Sequence, residues 1–434
     1  MRRPALIALG LCLAARVVLA LGTETYPDEA YYLSWSTHPQ LSYFDHPGLV
    51  AWGIALLGVR TSALFFGLAT LFGVHRLALR VGADAEAALW ATALFASTPA
   101  ANLLGTIATP DAPLLCFWVW TLVALLGPEG WRRTVLTGAL WGLAMLSKYN
   151  GILLGAPVLW VLWRRPLQVI SVGLIALAVT SPTLIWNAQH DWEGFRFQFA
   201  HGLGGGGGWP TFLEFVGGQF GMAGPLLLVL IGAWLVRGPR KPPLGIATVL
   251  PVLFFGYASL RARGEANWSA AAWLSGAVGV ALLARPRLKL AALWLNVVVV
   301  LGGVVVLVAP PKPAWGNPAI IKLHGWAALS RVKELGLPVY TARYQLSSLV
   351  SLHTGLPVTT RGGRRSQYDL WPQPHVPRGS DAVWIGEWWD AEPPPELAAK
   401  FERVEPIEWA LDERQRAHHT FVGVRLVNAL VDDP

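Results

Sequence analysis

Long apolar runs separated by short polar breaks fill the chain from residue 5 to residue 309. A helix needs about 20 predominantly apolar residues to cross a bilayer, and windows of that kind number about eleven here. They lie at 5–22, 61–79, 86–103, 111–127, 134–147, 150–163, 168–186, 218–236, 244–260, 267–284 and 288–309. The fifth and sixth are short, and if fused into a re-entrant pair they would invert everything downstream. The charges argue against that. With Arg2 and Arg3 in the cytoplasm, the clusters Arg76/Arg80, Arg132/Arg133, Arg164/Arg165, Arg237/Arg240/Lys241 and Arg285/Arg287/Lys289 all fall inside, as the positive-inside rule requires. After Pro310 the pattern changes: apolar runs become too short to span, and Pro, Arg and Glu become common. There His324–Leu335 reads as an amphipathic helix and Arg343–His353 as a second helix. Val339–Thr341, Ala382–Ile385 and Thr420–Val427 read as strands, and the alternation predicts a small soluble α/β module. The expected organisation is a transmembrane domain over 1–311, with an outer loop at 23–60, and an extracytoplasmic α/β domain over 312–434.

Composition agrees with a polytopic α-helical membrane protein. Charged residues are 14% of the chain and hydrophobic residues 54%, against about 25% charged in soluble domains. The 23 Trp suit interfacial belts. A net charge of +8 would suggest nucleic acid in a soluble protein; here the basic residues sit in short loops between spans and set orientation instead. Cys12 and Cys116 both lie in apolar segments, so neither a disulfide framework nor metal-ligand spacing is present. The first apolar segment resembles a signal peptide, but Arg16 interrupts its core. That suits an uncleaved helix whose guanidinium faces protein or an aqueous cavity.

The polar chemistry collects in the outer loops. The first, Tyr26–Trp52, holds Asp28, Glu29, Asp45 and His46 among Tyr, Trp and Phe. The others carry Asp111 in ATPDAP, Lys148 in LSKYN, His190 and Asp191 in WNAQHDWEG, and Arg261, Arg263, Glu265 and Asn267 in RARGEANW. Each has a plain structural explanation. Asp111 suits a helix start, Lys148 can snorkel to the interface, and His190 with Asp191 can close a helix. Gly204–Gly208 reads as a flexible tether, since no Walker pattern follows. Two acidic sites in one loop beside a membrane are harder to explain structurally.

These pieces carry a resemblance. DEAYYLSWS, YFDHPGLVAW, ATPDAPLLCFW, LSKYNGILL, LIWNAQHDWEGFRFQFAH, FLEFVGGQF, RARGEANWSA and RRSQYDLWP follow one another over nearly the whole chain. Together they resemble the GT-C glycosyltransferases of the protein O-mannosyltransferase and lipid A aminoarabinose transferase type, in their bacterial family-39-like form. The chain departs where related enzymes often carry Lys-Pro-Pro after the second acid: it has His46-Pro47-Gly48, and so lacks a permanent cation at position 46.

The resemblance implies transfer of a sugar from a polyprenyl phosphate to a lipid, polysaccharide or protein acceptor at the outer face of the bacterial cytoplasmic membrane. A hydroxyl acceptor needs a general base, and the departing phosphate needs cations or hydrogen-bond donors. Asp28 is then the base, carried over from the family's first-loop acid, Glu29 orients it or the acceptor, and Asp111 is the next candidate, holding the acceptor. Lys148, Arg261, Arg263 and His46 are candidates for the phosphate; Arg263 leads, because a planar guanidinium engages two oxygens. Glu265 and Asn267 then bind sugar hydroxyls or fix the arginine. One base and direct displacement imply inversion. Asp45 with His46 offers two ligands to a divalent ion, too few to assign a metal, and no cofactor is assigned. A transporter or flippase is the alternative, but its ionisable groups belong near the bilayer midplane. An envelope scaffold would need neither the acidic loop nor the outer cations.

Overall fold

The structure, a computed structural model, describes residues 2–283, 285–311, 318–387, 390–407 and 421–432. In chain order the helices are α1 (Arg2–Gly22), α2 (Pro27–Ser36), α3 (Leu49–Leu57), α4 (Val59–Arg80), α5 (Ala85–Ala96), α6 (Pro99–Leu104), α7 (Asp111–Leu125), α8 (Trp131–Ser147), α9 (Gly155–Leu162) and α10 (Pro166–Gln189). They continue with α11 (Glu193–Leu203), α12 (Trp209–Ala223), α13 (Pro225–Arg237), α14 (Pro242–Arg261), α15 (Ala270–Ala281), α16 (Pro286–Val308), α17 (Pro318–Ile321), α18 (Tyr344–Thr354) and α19 (Pro395–Ala398). The strands are β1 (Val339–Thr341), β2 (Val358–Thr360), β3 (Ala382–Glu387), β4 (Phe401–Ile407) and β5 (Phe421–Ala429). The chain forms two compact units: Met1–Leu21 with Pro39–Val304, and Gly22–His38 with Val305–Pro434.

The first unit is helical. Among the described residues α1, α4, α10, α14 and α16 are each long and apolar enough to cross a membrane. α12 and α13 pass the same test only as a pair, bent by 98°. The continuous run expected over 218–236 is therefore divided, and the cause is local: Gly224 has φ +89° and Pro225 begins α13. The run expected at 86–103 is likewise split, with the Thr98 hydroxyl capping α6 by accepting from Ala101 N. α8 and α10 pack closely through Gly138 and Gly142, where a Cβ would meet Val172 O at 2.8 Å and Ala176 O at 2.7 Å. This is the small-residue spacing that lets membrane helices approach. Arg16 is buried at 2% exposure, against Gly67 and Gly105 and beside a cavity of about 10 Å³.

The second unit is a five-stranded sheet with helices. Its order is β2-β1-β3-β5-β4, with β2, β1 and β3 parallel and β3, β5 and β4 antiparallel. One core joins Trp326, Leu329, Val332, Leu346, Leu349, Val383 and Ile385 with Ala30 of α2. The stretch expected as loop after the first span is thus a helix that belongs with the tail. Its start is encoded locally: Pro27 occupies the first turn, Asp28 and Glu29 follow, and the Glu29 carboxylate accepts from Tyr26 N at 2.9 Å. Glu24 ties the same segment down by accepting from Gly325, Trp326 and Ala327 N at 3.1, 2.7 and 3.2 Å. Those amides open Trp326–Leu335, which is 3-10, within the His324–Leu335 stretch expected as an amphipathic helix. Thr420, the first residue of an expected strand, lies outside the described residues; β5 begins at Phe421.

Candidate active site

In the membrane unit three sequence-selected residues meet. Asp111 opens α7, Lys148 stands in extended backbone between α8 and a 3-10 turn, and Asn267 lies in a second 3-10 turn, Ala266–Ser269. Lys148 Nζ donates to both Asp111 oxygens, at 2.9 and 3.0 Å, and Asn267 Nδ2 donates to Oδ2 at 2.9 Å. The ion pair is enclosed, with side-chain exposures of 8% and 4%. Lys148 therefore does not snorkel, and Asp111 does more than start a helix. A bare Gly151 makes the sharp exit from α8 possible, because a Cβ there would sit 2.5 Å from Ala144 C.

Asp45 and His46 sit in a tight turn closed by a bridge between Ser42 and Pro47 and by Tyr43 N donating to His46 O at 3.1 Å. Asp45 is buried. Gln198 Nε2 donates to its carbonyl, and Phe44 packs on Phe197 with ring centroids 4.9 Å apart. Behind the turn, Asn187 donates to Thr183 O and accepts from Phe195 N, at 2.9 and 3.2 Å. Gly194 leaves the room: a Cβ would meet Tyr149 Oη at 2.9 Å and Phe44 O at 3.2 Å. His190 ends α10 as expected, and Asp191 and Trp192 then take left-handed φ of +50° and +60°. Such values are unfavourable for non-glycine residues and persist only where surrounding contacts impose them.

The RARGEANW segment follows α14. Arg261, Arg263 and Glu265 are exposed, and Arg263 Nε lies 3.3 Å from Glu214 Oε2 of α12. The expectation that Glu265 or Asn267 fixes Arg263 is not met in this geometry, since Glu214 is at the guanidinium and Asn267 is on Asp111. The glycine run is not a loose tether either. Gly207 N donates to Arg261 O at 2.9 Å, and a Cβ at Gly207 would lie 2.5 Å from Ala262 N.

In the second unit, Asp28 is half-buried in the first turn of α2, and Glu29 is fully buried in its capping contact. The α2 face bearing Tyr31 packs on the tail, where Gln367 N donates to Tyr31 Oη at 2.7 Å. At the carboxyl ends of β1 and β3, Arg343 pairs with Glu387 at 2.6 Å and Asp390 at 2.9 Å. Burial pushes the Glu387 carboxyl up to about 7 despite the arginine. Sequence reasoning missed Glu24, Tyr31, Tyr149 and Asn187, whose roles depend on partners remote in the chain. Among the described residues no group of three or more His, Cys, Asp or Glu is gathered that could hold a metal ion.

Helical architecture and comparisons define the class: a polytopic helical membrane protein with the GT-C glycosyltransferase fold. ArnT from Cupriavidus metallidurans, solved bound to undecaprenyl phosphate, superposes with a TM-score of 0.67 at 17% identity, covering 99% of both chains. Its apo form gives the same score, covering 99% of this chain and 98% of that one. The family described as dolichyl-phosphate-mannose-protein mannosyltransferase matches residues 45–186. The lipid A galacturonosyltransferase RgtD of Rhizobium johnstonii is 30% identical over 305 residues, 63% of each protein. The chain thus spans about 63% of that relative's length. The resemblance drawn from the loop motifs is shown by these matches in sequence and in fold.

Proposed function

We propose that this chain moves a sugar from a polyprenyl-phosphate donor to an acceptor at the outer face of the cytoplasmic membrane, with Asp28 as general base. The observation that carries the reading is the likeness over 99% of the chain to a fold solved with undecaprenyl phosphate bound. Asp28 removes the acceptor hydroxyl proton, the oxygen attacks the anomeric carbon, and the bond to the phosphate oxygen breaks with inversion. Glu29 closes the helix cap, which suits an orienting role. Arg263 and Arg261, exposed and cationic, take the leaving phosphate, helped by His46. The enclosed Lys148–Asp111–Asn267 cluster holds its loops rigid. RgtD is named for action on lipid A, and a lipid A-type glycolipid is the acceptor we favour over a polysaccharide or a protein. The eleven-span reading puts the N-terminus inside and residues after 311 outside, since every basic cluster between spans then faces inward.

The test is to incubate purified protein with a panel of polyprenyl-phosphate sugars and a lipid A acceptor. Consumption of one donor with formation of glycosylated lipid is expected. Movement of lipid across vesicles with no sugar transfer would instead establish the flippase reading.

A further inference from the structure

The RRSQYDLWP stretch of the tail has no role in the chemistry above, yet it lies along one face of α2. Its turn is self-supporting: Asp369 Oδ2 accepts from Ser366 N at 2.7 Å, and Gln373 Nε2 donates to Trp371 O at 3.0 Å. From this turn two contacts reach α2, and a third reaches His38 just beyond its end. Gln367 N donates to Tyr31 Oη at 2.7 Å, the Tyr368 hydroxyl lies 3.3 Å from Ser34 Oγ, and the Trp371 ring stacks on His38 with centroids 4.5 Å apart. Tyr31 and Ser34 are spaced to share one helical face. Asp28 precedes Tyr31 by three and continues that face. On its other side the Tyr368 hydroxyl lies 3.1 Å from Ser348 Oγ of α18, and both Tyr368 and Ser348 are buried. Tyr31 is closed in by Tyr344 at 4.3 Å and by Tyr368, nearly parallel at 6.1 Å. A helix of ten residues has little stability of its own, so its azimuth is set by what it leans on.

We propose that Tyr368 is a positioning residue: its hydroxyl bridges Ser34 of α2 to Ser348 of α18 and fixes the rotation of α2, and with it the direction of the Asp28 carboxylate. The proposal rests on Asp28 being the base. Proton abstraction requires the base within hydrogen-bond reach of the acceptor, and a small misplacement costs turnover without touching donor binding.

The test is Tyr368→Phe, which keeps the ring and removes the bridge, with Ser34→Ala breaking the same bridge from the α2 side. In purified enzyme each variant is expected to lose about 10-fold in kcat, below the about 100-fold cost of a larger misplacement, with donor KM and melting temperature unchanged. The double variant is expected to be no worse than either single. In an Asp28→Asn background, Tyr368→Phe is expected to add nothing, because the group it positions is gone. Full kcat in both single variants would overturn the proposal, as would an undiminished Tyr368→Phe effect in the Asp28→Asn background. If Tyr368→Phe does not fold, Ser34→Ala alone decides by the same two criteria. Normal transfer by Asp28→Asn itself would instead remove the base assignment, a separate outcome.

Discussion

Asp111 and Lys148 lie 37 positions apart, yet their side chains share one enclosed pocket of charge. Taking either charge away leaves the other buried with only neutral partners, and breaking such a pair costs about 3–5 kcal/mol. Lys148→Met should therefore lower the unfolding free energy in micelles by that order, and adding Asp111→Asn should recover much of it. A single variant as stable as the parent protein would show that the pair does not hold the loops. Glu387 supports a different experiment. Its carboxyl is raised from 4.5 to about 7, chiefly by burial, so the folded protein binds its proton more tightly than the unfolded chain does. Its stabilising contribution is then complete below about pH 4.5 and is lost as pH rises through about 7. Melting temperature measured from pH 5 to 8 should fall more in the parent protein than in Glu387→Gln. Equal slopes would contradict the raised value.

At the level of elements, the glycine run meets the RARGEANW segment at a contact only glycine allows. In Gly207→Ala the new methyl would lie 2.5 Å from Arg261 C and Ala262 N, backbone atoms that cannot step aside without moving Arg261 and Arg263. Donor KM should rise about 10-fold, given how steeply rate and binding depend on placement. Gly202→Ala, in open space within α11, should leave KM alone, and KM unchanged in both variants would detach the glycine run from the donor site. The contrast also shows what one-dimensional reading captures. Long helices such as α10 and α16 announce themselves by apolar length, and β1 and β3 by short runs of Val, Tyr, Trp and Ile. α2 does not, because its apolar residues face a tail some 300 residues later, and a run of Tyr, Ser and Trp outside a membrane span reads as interface. β4 escapes for a related reason: FERVEPI is an exposed edge with Pro406 inside it, tolerable only at a sheet edge. Among the candidate site residues the types were legible, since isolated acids and cations beside apolar spans stand out. Their partners were not: Asn267 reaches Asp111 from a 3-10 turn, and Arg263 meets Glu214 of α12 from the irregular segment after α14, placements with no periodic signal.

For the whole molecule, the division into units matters most. The membrane unit carries the ion-paired cluster, the Asp45–His46 turn and the exposed arginines, while Asp28 belongs to the unit built on the five-stranded sheet. A tail attached only as an accessory would share no core with α2, whereas here Ala30 of α2 packs with Trp326, Leu349 and Val383. Asp28→Asn tests the proposed base most directly. The substitution keeps size but cannot accept a proton. Sugar transfer and polyprenyl-phosphate affinity, measured side by side in purified protein, should show turnover reduced by about 10²-fold or more with donor affinity intact. Normal turnover in Asp28→Asn, or donor affinity lost while chemistry persists, would contradict the account.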